Sequence, residues 1–157
     1  MIPEIVESYT QILCSPQLKD DGDFDLTDDT PYIDTVQNGV QWGHLRVLII
    51  VGTVDAAIGS TAEGTAPLVE ECDTTDGAYT DVTSAALADA IGATEDQGLF
   101  AIDIDLRPAH KRYMQVQAPH AGDGTTGCNA AIIGILTKPQ VAPATAAQMG
   151  LAEHIII

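Results

Sequence analysis

The chain has 157 residues, a formal net charge of −17 at pH 7 and a 45% share of hydrophobic residues. This length and apolar share are enough for one folded domain with a core, rather than a disordered acidic chain. The charge argues against nucleic acid and anionic membranes as partners, because their phosphates would repel the protein.

The first 29 residues predict an N-terminal arm followed by an acidic linker. Residues 1–18 are mildly apolar and fit either a short helix or an extended segment. They show no basic start followed by an apolar run, so no signal peptide is predicted. Residues 19–31, KDDGDFDLTDDTP, are rich in carboxylates but lack the glycine and glutamate spacing of an EF-hand loop. They predict a solvated linker rather than a calcium site.

From Thr30 the sequence changes to short apolar or alternating runs separated by turn residues. Asn38-Gly39 is a strong hairpin signal, because both residues tolerate positive φ. The runs that predict strands are 30–37, 40–54, 66–74, 78–84, 99–106, 111–119 and 128–136. Their spacing is typical of a sandwich or jelly roll. We therefore predict an all-β fold, an antiparallel β-sandwich of jelly-roll type, over residues 30–137.

Three segments allow further predictions about burial and local structure. The apolar run VLIIV at 47–51 indicates a central strand that is covered on both faces, and it is too short to span a bilayer. In LFAIDIDL, Asp103 and Asp105 alternate with apolar residues and should share the solvent face. SAALADAIG predicts one or two helical turns that end at Gly92.

Residues 138–157 predict a C-terminal arm. Their proline and alanine content favours an extended segment. Because large apolar side chains avoid water, we predict that Ile155, Ile156 and Ile157 dock on a surface. That surface belongs either to the protein's own sandwich or to another subunit.

No motif predicts catalysis, a cofactor or a metal. The histidines are scattered, without HxH or HExxH spacing: His44, His110, His120 and His154. There is no GxSxG, and GDGTTG at 122–127 lacks the lysine of a phosphate-binding loop. Asp103 and Asp105 are more typical of a soluble sheet face than of a glycosidase pair. The sequence therefore predicts a protein that is not an enzyme.

The cysteines are odd in number and widely separated. They are Cys14, Cys72 and Cys128, which argues against a disulfide framework or a zinc knuckle. Reduced, partly buried thiols are the favoured interpretation. A bridge between Cys72 and Cys128 across the sandwich is the alternative.

Three of the six basic residues flank one turn, between residues 99–106 and 111–119. They are Arg107, Lys111 and Arg112. Beside Asp103 and Asp105, these cations are expected to form ion pairs that lock a strand corner, or to meet acidic groups of a partner. They are our interface candidates, together with the three C-terminal isoleucines.

The runs VEECDTTDGAYTDVTSAAL and FAIDIDLRPAHKRYMQVQA resemble the small head-decoration, or cement, proteins of tailed bacteriophages. The matching steps are Thr80-Asp81-Val82, Asp105-Leu106-Arg107, Lys111-Arg112-Tyr113 and a last strand from Ala130 to Leu136. The resemblance covers residues 45–140, and the acidic N-terminal stretch and the isoleucine-rich C-terminus lie outside it.

The resemblance implies a structural role in a virion. Proteins of this family lie on the outer surface of an icosahedral capsid, often as trimers, and tie neighbouring major capsid protein subunits together. It implies synthesis in the host cytoplasm, and both the major capsid protein and further copies of the chain as partners. A carbohydrate-binding or host-attachment sandwich is the alternative, although Trp42 is expected in the core rather than on a sugar platform. A hydrolase with paired carboxylates comes third.

Overall fold

The structure, a computed structural model, describes residues 8–19, 32–37, 39–59, 66–119 and 127–139. Within these ranges the chain is built almost entirely of strands arranged in two antiparallel sheets, which confirms the predicted all-β sandwich. The strands are β1 (Ser8–Lys19), β2 (Tyr32–Asp34), β3 (Val36–Gln37), β4 (Val40–Val54), β5 (Leu68–Cys72), β6 (Thr80–Ala86), β7 (Leu99–Asp105), β8 (Tyr113–Gln117) and β9 (Cys128–Pro139).

One sheet has five strands and the other has four. In the larger sheet the order is β1-β9-β4, and both β3 and β7 pair with β4. The 15 residues of β4 make this possible: β3 pairs with its first two residues, and β7 pairs from His44 to Ile50. The smaller sheet has the order β2-β8-β5-β6.

Strand β1 lies within the stretch that the sequence assigned to an N-terminal arm. It is an edge strand of the larger sheet and pairs with β9, beginning at Ser8 opposite Thr137. Leu13 on β1 is buried in the common core. Two register shifts around Cys14 interrupt the ladder, and such irregularities break the alternation by which a strand is recognised in a sequence.

The core is aliphatic, as the low aromatic content requires. Its largest fully buried side chains are Trp42, Leu13, Ile33, Leu45, Ile49, Ile58, Ile91, Met114, Ile132, Leu136 and Val47. They come from both sheets, so the two sheets share one core. Trp42 is only 2% exposed, which confirms its predicted place in the core.

The predicted helical turns in residues 84–92 are wrong. The first three of these residues belong to β6, and Ile91 forms an isolated antiparallel bridge with Ile58. Both isoleucines are 1% exposed, so burial of this pair outweighs the local helix propensity of the alanines. The described helix is instead a single 3-10 turn, Ala93–Glu95. No helix in the described ranges is long and apolar enough to cross a bilayer.

Two of the three cysteines have described side chains, and both are free thiols. Cys72 ends β5 in the smaller sheet, whereas Cys128 begins β9 in the larger one. The alternative of a bridge between them is therefore not what the structure shows. Burial raises the pKa of the Cys128 thiol to about 12.

We expect Cys128 to resist alkylation by iodoacetamide while the protein is folded. The thiol is 1% exposed and stays protonated at pH 8, and only the thiolate reacts. Pulse labelling at pH 8, read by mass spectrometry on the peptide that contains Cys128, should show modification only as denaturant unfolds the chain. Fast labelling in the absence of denaturant would show that the Cys128 thiol, at the start of β9, is accessible to the reagent in the folded protein.

Candidate functional site

The predicted basic cluster lies on the connection between the two sheets. Strand β7 of the larger sheet ends at Asp105, and β8 of the smaller sheet begins at Tyr113. Arg107, Lys111 and Arg112 all belong to this connection. The structure thus brings the three interface candidates into one segment, but each of them binds a different group.

Arg112 ties this connection to strand β2. Its Nε and Nη2 atoms donate hydrogen bonds to the Asp34 carboxylate at 2.8 and 2.7 Å. Asp34 Oδ1 also accepts the Val36 N–H at 2.9 Å. The N–H and the hydroxyl of Thr35 both donate to the Arg112 carbonyl oxygen, each at 2.9 Å. Since the Asp34 side chain is only 16% exposed, this two-point ion pair is a structural link between β2 and β8.

A second polar cluster ties the same connection to β5 and β6. His110 Nδ1 lies 2.8 Å from Glu71 Oε2, which also accepts the backbone N–H of Lys111 at 3.2 Å. The Lys111 ammonium donates to the hydroxyl of Thr80 at 2.8 Å. The His110 and Glu71 side chains are 20% and 16% exposed, so both are largely shielded from water. Together the two clusters hold three strands of the smaller sheet to one connection.

Arg107, in contrast, makes a local pair. It binds Asp105, two residues earlier, with contacts of 2.8 and 2.6 Å from its Nε and Nη2 atoms. The guanidinium holds the pKa of Asp105 well below its ordinary value. The two side chains are 71% and 46% exposed, and exposed ion pairs of this kind add little to stability. Arg107 therefore does not link one strand to another.

The other three predicted interface residues, Ile155, Ile156 and Ile157, lie outside the described residues. The acidic linker at 20–31 lies outside them as well.

The structure reveals a surface that sequence reasoning missed, on the outward side of the larger sheet. Direct pairing places Ile12, Ile133, Leu48 and Ala101 in one row across β1, β9, β4 and β7. The next row contains Ala131, Ile50 and Leu99. We call these two rows the apolar face. Ile12, Ile50 and Leu99 are 60%, 40% and 65% exposed, and they are the exposed large hydrophobic residues of the described chain.

The sequence carried a signal for this face. The run VLIIV in β4 has apolar residues at every position, and the sequence predicted that both faces of this strand are covered. Val47, Ile49 and Val51 are indeed buried between the sheets. On the opposite side, Ile50 is 40% exposed, and nothing in the described chain covers it. The described chain thus covers one face of β4 over this run and leaves the other face exposed at Ile50.

Charged residues lie at one end of the same sheet. Arg46 Nε and Nη2 donate to the Asp103 carboxylate at 2.8 and 2.9 Å, and they hold the pKa of Asp103 below its ordinary value. His44 Nε2 lies 3.3 Å from Asp103, and its Nδ1 lies 3.1 Å from the Thr137 hydroxyl. Burial lowers the pKa of His44 despite the neighbouring aspartate, so the ring is neutral at pH 7.

Comparison of the chain with protein-family models, with curated proteins and with solved structures finds no match. Over the described residues the fold is all-β with two sheets, an ion-paired connection between β7 and β8, and an apolar face on the larger sheet. Among the described residues, no three His, Cys, Asp or Glu side chains are placed to hold a metal ion.

Proposed function

We propose that the protein decorates the outer surface of the icosahedral capsid of a tailed bacteriophage and joins neighbouring major capsid protein subunits. The observation that carries this proposal is the apolar face. Large aliphatic side chains that form continuous rows on a sheet typically mark a protein–protein contact. The resemblance of residues 45–140 to head-decoration proteins supplies the kind of assembly.

The charge of the protein supports a position on the outside of the shell. A chain with a net charge of −17 is repelled by packaged DNA. Its three arginines are also committed to aspartates of the same chain, since Arg46, Arg107 and Arg112 each form a two-point ion pair. These guanidinium groups are therefore not free to bind phosphates.

The partners in this proposal are the major capsid protein and further copies of the chain, arranged as a homotrimer. Neither nucleic acid nor a membrane takes part, and the protein performs no catalysis. It is made in the host cytoplasm and then joins the virion. Many contacts on a regular shell add up, so weak individual contacts are enough to strengthen the head.

The test is a binding experiment with capsids that lack this chain. We expect saturable binding at a copy number that matches the icosahedral symmetry, and a higher temperature of DNA release after decoration. Bound copies are counted by quantitative gel densitometry, and DNA release is followed with a dye that the intact shell excludes. Binding without a thermal shift would indicate a display or attachment module instead. Absence of binding would contradict the proposal.

A carbohydrate-binding or host-attachment module is the second candidate. One observation favours it: Tyr32 and Tyr113 form an edge-to-face pair, with ring centroids 5.3 Å apart, on the outward side of the smaller sheet. Trp42 is buried and therefore not available as a sugar platform. Glycan-array binding that is lost in Tyr113→Ala but kept in Trp42→Phe would favour this candidate over capsid decoration.

A further inference from the structure

We propose that the apolar face binds a second copy of this chain. The proposal assigns a surface to the self-association in the proposed function, and it rests on that function only for the number of copies. Its evidence comes from the geometry of the sheet, from the contrast with the other sheet and from the distribution of charge.

The geometry is that of a broad, continuous surface. Ile12 on β1 and Leu99 on β7 lie at opposite edges, and adjacent strands are about 4.8 Å apart, so the apolar rows span about 14 Å. Exposure is highest toward the edges, at 60% for Ile12 and 65% for Leu99. Such a sheet face is suited to packing against another sheet, with side chains interdigitating across about 10 Å.

The outward side of the smaller sheet provides a comparison for the apolar face. Its outward positions mix polar residues with aromatic and aliphatic ones: Asp34, Glu70, Gln115 and Gln117 lie beside Tyr32, Tyr113 and Leu68. Gln115 also donates a hydrogen bond to Glu70 at 2.9 Å. The larger sheet has isoleucine, leucine and alanine in the equivalent rows, so the two outer faces differ in kind.

The distribution of charged residues favours a second copy of the chain over a basic protein as the partner at this face. Arg46 and Arg107 lie beside Asp103 and Asp105 at the polar end of the larger sheet, and Lys138 acts electrostatically on both aspartates. Among the described side chains, three of the five basic residues thus accompany two of the 12 acidic ones, which leaves two basic and ten acidic residues elsewhere on the described surface. A basic partner would be drawn to those other surfaces. A second copy meets the least like-charge repulsion at this face.

The size of the face sets the strength of the contact. The outward side of the four strands covers about 500 Å² of flat area, from the standard strand and residue spacings, and the seven residues of the apolar face make up a little under half of it. Stable complexes bury about 800 Å² per partner, so this face fits a reversible association rather than a permanent one. We expect oligomers whose share rises with protein concentration in the micromolar range.

The experiment is sedimentation velocity of the isolated 157-residue chain over a series of concentrations. Two variants place a charge on the apolar face, Ile12→Glu and Leu99→Glu. Ala86→Glu, which adds the same charge at an exposed position of β6, is the control. We expect the unmodified chain and the control to associate alike, and each face variant to associate at least ten-fold more weakly. Salt should strengthen association of the unmodified chain, because it screens the repulsion between acidic copies.

A monomer at every concentration would overturn this inference, and so would equal association of the face variants and the control. Far-UV circular dichroism verifies the fold of each variant, and Leu99→Thr replaces Leu99→Glu if the charge prevents folding. Capsid binding of the same proteins separates the two proposals. A monomer that still decorates capsids overturns only the self-association. An oligomer that ignores capsids overturns only the capsid function.

Discussion

Replacement of Trp42 by alanine is expected to lower the free energy of unfolding by about 3–5 kcal/mol. The side chain is 2% exposed and belongs to the shared core. Its ring packs against Tyr9, with centroids 6.4 Å apart. The backbone N–H of Trp42 donates to the Thr35 carbonyl at 3.1 Å, a bond that alanine keeps. Alanine would leave a cavity where β1, β3 and β4 meet.

Urea unfolding followed by far-UV circular dichroism measures this loss, because the variant has no tryptophan left to report by fluorescence. Trp42→Phe is the matched control. Trp42 Nε1 is buried and has no hydrogen-bond partner among the described residues, so phenylalanine sacrifices packing volume but no hydrogen bond. We expect the control to lose less than about 2 kcal/mol. Equal losses in the two variants would show that the indole is not held by the core.

The strands that were predicted well are those in which buried apolar residues alternate with exposed polar ones along the sequence. In LFAIDIDL the structure buries Ile102 and Ile104 and exposes Asp103 and Asp105, as a period of two demands. The helix predicted in SAALADAIG failed because the bridge between Ile58 and Ile91 is a contact between distant segments. Strand β1 was missed for the same reason, since its partner β9 lies at the other end of the chain.

The polar contacts also divide into pairs close in sequence, which were predicted, and pairs distant in sequence, which were not. The pairing of Arg107 with Asp105 was expected from two residues of separation, and the structure confirms it. Arg112 was expected to use the same aspartates, but it binds Asp34, 78 residues away. Asp103 forms its ion pair with Arg46 instead. A sequence shows which charges are available, but the strand order decides which of them meet.

The apolar face shows a further limit of the sequence pattern. The run VLIIV predicted a central strand covered on both faces; the strand is central, but the described chain covers only one of its faces. Whether the second side is covered by the same chain or by another depends on how many layers the fold has, and that is a property of the whole molecule. Ile50, at 40% exposure, marks the side that the described part of the chain leaves exposed.

Arg112→Glu is expected to lower the Tm by roughly 2–4 °C. The substitution removes two charge-assisted hydrogen bonds and places a second carboxylate beside Asp34, whose side chain is only 16% exposed. It also removes the guanidinium that lies 5.2 Å from the centre of the Tyr113 ring. Differential scanning calorimetry gives the Tm, and capsid binding is measured below it.

Arg107→Glu is the matched control, because it reverses the same charge on the same connection. Its pair with Asp105 is local, and the Arg107 side chain is 71% exposed, so we expect the Tm to change by less than about 2 °C. If only Arg112→Glu lowers the Tm and both variants still decorate capsids, the corner joins strands and is not an interface. If both variants keep their Tm but lose capsid binding, the cations face a partner. An unchanged Tm and normal decoration in Arg112→Glu would remove both roles, because the pair with Asp34 would then contribute nothing that either measurement detects.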